Sequence, residues 1–132
     1  MSTSVPAVAH GITLEEFLAA VEAVNAWLDG DMSPEYAAQP LAHTIARVTK
    51  VCEESGEVWA ALSKWTGENP RKGVCGTRAD VLAELGDTVS AGICAIQHIT
   101  GDIDLTWAVV SSALVKARTR IGQKPGGVSD AT

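Results

Sequence analysis

Two short acidic motifs, Glu53-Glu54-Ser55-Gly56-Glu57 and Glu84-Leu85-Gly86-Asp87, each set two carboxylates at i and i+3 inside a segment of helical apolar periodicity. On an α-helix each residue advances about 100° and 1.5 Å, so Glu54/Glu57 and Glu84/Asp87 each share one face within a single turn. Four converging carboxylates repel one another and lose hydration, and a hard divalent cation offsets both costs. Magnesium (Mg2+) suits such a site: it prefers oxygen ligands, keeps several waters and joins carboxylates to substrate phosphates. Manganese (Mn2+) fits a similar oxygen-rich set. The alternative for either motif alone is the solvated face of an amphipathic helix.

The elements that must position these acids can be read from the same periodicity. Around Glu54, the residues Leu41, Ile45, Val48, Val51, Cys52, Val58, Trp59, Leu62 and Trp65 form one apolar arc. Around Glu84, Val81, Leu82, Leu85, Val89, Ile93, Ile96 and Ile99 form another, with the acids on the same edge in both. Antiparallel packing brings the two edges to one flank. The midpoint between Glu57 and Glu84, and between Glu54 and Asp87, falls at residues 70–71, inside an expected loop from Gly67 to Gly76, so a simple hairpin sets the pairs opposite each other. Gly56 and Gly86, at equivalent points of the two motifs, are expected to let the helices approach closely.

The flanking signals complete an all-α reading. Thr13-Leu14-Glu15-Glu16 is a capping-box pattern that opens a first helix, closed by Gly30 and Asp31. Pro34 and Pro40 punctuate the link to a second helix over about Leu41 to Thr66, with Gly67 as its stop. A third runs from Arg78 to Thr100, capped by Thr77 and followed by Gly101; a fourth spans Leu105 to Ile121. No stretch alternates as a sheet strand does. The expected organisation is an arm over residues 1–12, one helical domain over 13–121 and a tail over 122–132 rich in glycine and small polar residues.

The order EExxE then ExxD, after a variable gap and across a helix–loop–helix, resembles the MazG-like all-α nucleoside triphosphate pyrophosphohydrolases. The resemblance covers roughly residues 41–121. It implies a helical bundle built on the antiparallel hairpin, completed by oligomerisation into a dimer or tetramer, and hydrolysis of nucleoside triphosphates to monophosphate and pyrophosphate. It also implies that Glu54, Glu57, Glu84 and Asp87 are the metal-binding carboxylates, with Glu53 the extra acid of the first motif. In that chemistry metal-activated water attacks the α-phosphorus, and either Glu53 or Glu57 takes the proton. Related enzymes carry basic residues near the C-terminal end of the domain, where this chain has Lys116, Arg118 and Arg120, without the asparagine often found there.

Other residues have weaker claims. Arg71 and Lys72 concentrate two cations in the Gly67–Gly76 loop of an acidic chain and are phosphate candidates, solubility being their alternative use. Trp59 and Trp65 are expected in the core, with base stacking the second reading. His10, His43 and His98 lack metal-ligand spacing and are read as structural or exposed. Cys52 and Cys94 read as small packing residues and Cys75 as a loop thiol; three cysteines without CxxC spacing support neither a disulfide framework nor a zinc site.

Composition narrows the partners. At 132 residues and 46% hydrophobic content the chain makes one domain, and its formal charge of -6 argues against a general nucleic-acid surface. No apolar run is long enough for a membrane span, and residues 1–11 lack the pattern of a signal peptide, so a cytoplasmic protein is expected. A di-iron carboxylate bundle needs Glu-x-x-His on two helices and finds neither. The remaining alternative to the enzyme is a nucleotide-sensing or helical interaction protein that retains the metal site without turnover.

Overall fold

Local capping chemistry sets most of the helix boundaries. In the computed structural model, which describes residues 11–122, the order is α1 (Leu14–Gly30), α2 (Pro34–Ala37), α3 (Pro40–Thr66), α4 (Arg78–Thr100) and α5 (Ile103–Gly122), with no strand among the described residues. The expected arm over 1–12 falls almost wholly outside these residues, as do His10 and all of the expected tail over 122–132 except Gly122. Thr13 Oγ1 accepts from Glu16 N at 3.2 Å while Thr13 N donates to Glu16 Oε2 at 2.7 Å, a complete capping box on α1. Thr77 and Asp80 repeat it on α4 with the same two distances. Each box satisfies two otherwise orphaned N–H groups, and losing such a cap costs about 1 kcal/mol.

The helix stops follow the sequence as well. Gly67 closes α3 at φ 69° and Gly101 closes α4 at φ 64°, left-handed conformations that glycine adopts without a Cβ clash. The loop after α3 returns onto that helix: Cys75 N and Gly76 N both donate to Lys64 O, at 3.0 and 3.2 Å. Two features go beyond the sequence reading. The single-turn α2 is capped by Ser33 and has Pro34 at its first position, and it is tied to α3 by Tyr36 Oη donating to Ala42 O and by Tyr36 stacking on His43. α5 begins at Ile103 rather than Leu105, because Asp102 Oδ1 accepts from Leu105 N at 2.7 Å.

α3 and α4 pack antiparallel along the long hairpin, α1 lies against α4, and α5 returns on α4. The apolar core is small. Val21, Ile93 and Cys94 form its centre, with Phe17, Ile103 and Val110 packed around them. Beside it runs a buried polar network: Asn25 Nδ2 donates to Cys94 O at 3.0 Å and to Gln97 Oε1, Arg47 Nε donates to Asn25 Oδ1 at 3.3 Å, and Arg47 Nη2 pairs with Asp29 Oδ1 at 2.7 Å.

Several packing expectations are corrected. Most of the two apolar arcs is open in the single chain: Leu41 is 72% exposed, and Ile45, Val48, Leu82, Leu85, Val89, Ile99 and Trp65 are exposed too. Trp59, expected in the core, is 60% exposed, and Cys52 is exposed where only Cys94 is buried. A Cβ added at Gly56 or Gly86 meets nothing within 4 Å, so neither glycine serves close helix approach in the chain. The crowding falls instead at the loop's two ends, where a Cβ on Gly76 would come within 2.8 Å of Lys64 Cβ and one on Gly67 within 2.9 Å of Val74 Cγ2. No described helix is long and apolar enough to cross a membrane.

Candidate metal centre

The hairpin brings both acidic motifs to one flank. Glu54 on α3 and Glu84 and Asp87 on α4 each offer a carboxylate oxygen, and these atoms all lie within 4.8 Å of one another. Their burial is graded: Glu54 is buried, Glu84 half-buried and Asp87 exposed. This is the arrangement that the i, i+3 spacing and the antiparallel register require, since adjacent turns of two packed helices face each other across the seam.

Glu57 borders this trio from the same face of α3 and is not part of it. The charge of Glu54 next to it, and then that of Glu84, raises the Glu57 carboxyl above the ordinary glutamate range. Glu53 takes a different part: it is exposed and accepts a hydrogen bond from Lys50 Nζ at 3.1 Å. The same ammonium stands 2.5 Å from Glu54 Oε1. Glu54, followed by Glu53, holds the Lys50 ammonium protonated well above the usual lysine range.

Two cavities flank the acids, and the acids divide between them. On one side a cavity of about 380 Å³ is lined by Glu54, Asp87, Arg47, Lys50, Cys94 and the apolar side chains of Val24 and Leu28. Burial in this wall raises the Cys94 thiol, with the Arg47 charge acting in the opposite direction. On the other side a more polar cavity of about 470 Å³ is lined by Glu57, Glu84, Asp80, Lys64, Cys75 and Gly76. The four acids thus stand as a wall between an apolar recess and a polar one.

None of the cations expected from the sequence lines either of these cavities. Lys72 lines a smaller recess of about 200 Å³ with Trp59 and Lys64, beyond the polar cavity, and Arg71 is exposed in the loop with its N–H on Asn69 Oδ1. Lys116 and Arg118 are exposed on α5, as is Arg120. The cations of the flanking cavities are Arg47, Lys50 and Lys64, none of which the motifs singled out. A signal for Lys50 was present, since it precedes Glu54 by four residues, the spacing of a helical ion pair. His43 and His98 are structural: His43 Nε2 donates to Tyr36 O at 2.7 Å, and His98 Nε2 lies 3.3 Å from Thr44 Oγ1.

The site therefore offers three hard oxygen donors at one point, a fourth carboxyl of raised proton affinity beside them, and two recesses of different polarity. No family model, curated protein or solved structure matches this chain.

Proposed function

We propose that the protein is a magnesium-dependent nucleoside triphosphate pyrophosphohydrolase of the MazG-like kind, converting a (d)NTP to (d)NMP and pyrophosphate. The observation that carries this reading is the convergence of Glu54, Glu84 and Asp87, from two motifs on two helices, to within 4.8 Å. The donor set is carboxylate oxygen throughout, which fits magnesium or manganese and not a metal that selects thiolate or imidazole. A bound ion would neutralise phosphate charge and lower the pKa of its water.

The remaining roles follow from the surroundings of each side chain. Glu57, whose proton affinity is raised by Glu54 and Glu84, is the better general base, whereas Glu53 is engaged by Lys50. The apolar recess suits the base and sugar, and the polar recess with Lys64 suits the leaving pyrophosphate. The test is a panel of nucleoside triphosphates with magnesium, read by chromatography. Monophosphate with equimolar pyrophosphate is the expected product. Release of orthophosphate and diphosphate would place attack at the terminal phosphate and sink the assignment, and nucleotide binding without turnover would favour the sensing alternative.

The same reading makes the chain one subunit of a homodimer or tetramer. Its support is the breadth of exposed apolar surface on the hairpin, Leu41, Ile45 and Val48 on α3 with Val89 and Ile99 on α4. Contiguous apolar surface of that kind marks interaction faces. Multi-angle light scattering should give a mass at least twice the 13.7 kDa of the chain; a strictly monomeric active species would contradict it.

A further inference from the structure

One cation already stands on the acidic edge. Lys50 Nζ lies 2.5 Å from Glu54 Oε1 and 3.1 Å from Glu53 Oε1, but the two partners are not equivalent, because the Glu54 side chain is 9% exposed and the Glu53 side chain 58%. The contact with Glu54 is therefore the one that offsets a desolvated charge. Lys50 itself is half in solvent, on a flexible four-carbon stem, and it lines the apolar recess together with Glu54 and Asp87. Ammonium and divalent cation seek the same oxygens and repel each other, so a metal held by Glu54 weakens the hold of that carboxylate on the ammonium. The lysine is tethered one turn from Glu54, and once displaced it has only a short way to move into the recess beside it.

We infer that Lys50 is an exchangeable counter-ion. In the metal-free chain it keeps the buried Glu54 carboxylate within the trio; on metal entry it leaves Glu54 and binds the phosphates of the incoming triphosphate. The inference rests on the reading of the acids as a metal site for phosphoryl transfer. Lys64, across the acid wall in the polar recess, is too far along α3 to share this part, lying ten residues after Glu54, about 15 Å along the helix.

The test is calorimetric titration of magnesium into nucleotide-free wild-type protein and Lys50→Met, which keeps the stem and removes the charge. Lys50→Met should bind magnesium about fivefold more tightly, the factor expected when a competing partly exposed ion pair is lost. It should also melt at a lower temperature than wild type in EDTA, and show a KM for the triphosphate raised about tenfold with a smaller change in kcat. Lys50→Arg should restore the KM. Unchanged or weaker magnesium binding by folded Lys50→Met overturns the inference, and tighter binding with an unmoved KM overturns the transfer to phosphate. If Lys50→Met does not fold, Lys50→Gln gives the same magnesium comparison, since it keeps a hydrogen bond to Glu54 without the charge. A wild-type protein that binds no magnesium brings down the metal reading itself, whereas a metal-binding wild type with an unmoved variant brings down only the role of Lys50.

Discussion

Arg47 and Glu54 are both buried, lie two turns apart on α3 and line the same recess, yet their surroundings are built differently. Arg47 is matched by Asp29, Asn25 accepts from its Nε, and Gln97 and the Cys94 carbonyl close the chain of contacts from α1 to α4. Glu54 meets two further carboxylates, with Glu57 beside them, against the single ammonium of Lys50. A closed network of this type holds helices in place. An excess of one charge at a helix seam has a cost in the free chain, which a ligand of opposite charge would offset.

That contrast can be broken by exchanging the effects of substitutions in the two regions. If the acids hold metal as proposed, Glu84→Gln and Asp87→Asn should each lower turnover by at least about 100-fold, since loss of a metal ligand should exceed the roughly 10- to 100-fold cost of losing an outer partner. Circular dichroism should show their helices intact. Arg47→Met should do the reverse, destabilising the fold by about 2 kcal/mol in urea denaturation because Asn25 and Asp29 lose a buried partner. The figure is below that of a fully buried pair because the Asp29 side chain is 50% exposed. Severe unfolding of the acid variants, or an Arg47→Met protein of normal stability, would erase the distinction.

A smaller effect sharpens it through pH. The raised Glu57 carboxyl means that its charge is disfavoured in the folded, metal-free chain. Its contribution is therefore unfavourable at neutral pH and is relieved as pH falls through the raised value toward the ordinary glutamate range. Glu16 and Asp80 behave oppositely: capping contacts with Thr13 and Thr77 lower them, so their contribution is present above the ordinary carboxylate range and lost as pH falls through their folded values. In EDTA, wild-type protein should gain melting temperature relative to Glu57→Gln as pH is lowered from 7 toward the glutamate range, the difference between the two cancelling other titrations. Parallel curves would show that Glu57 feels no repulsion.

The parts of the fold legible in the sequence are those with local causes. Thr13 with Glu16, Thr77 with Asp80, Gly67 and Gly101 declare helix ends within a few residues, and the structure uses all of them. The single-turn α2 is not legible because four residues carry no periodicity, and the start of α5 is set by Asp102, a cap that apolar periodicity does not reveal. Among the acids, the pairing of Glu54 with Glu84 and Asp87 was readable because helical spacing and hairpin register are both arithmetic. The Arg47–Asp29–Asn25 network was not, since it depends on how α1 is laid across the hairpin. The exposure of Leu41 and Trp59 is not legible for the complementary reason: an apolar arc shows that a face seeks cover and is silent on what supplies it.

The Lys64–Gly76 contact has a bearing on which changes of length the hairpin tolerates. Both ends of the loop are pinned there, by two N–H groups on one carbonyl and by a glycine with no room for a side chain, while Pro70, Arg71 and Lys72 between them are exposed. Residues added between Glu68 and Val74 extend chain outside the packed helices and leave the two acidic edges facing each other. One residue inserted between Glu57 and Lys64, or between Gly76 and Glu84, instead turns one carboxylate pair by about 100° off the shared flank. The quantity that must be held constant is the distance in residues from each motif to the pin, and the total gap between the motifs is free to vary.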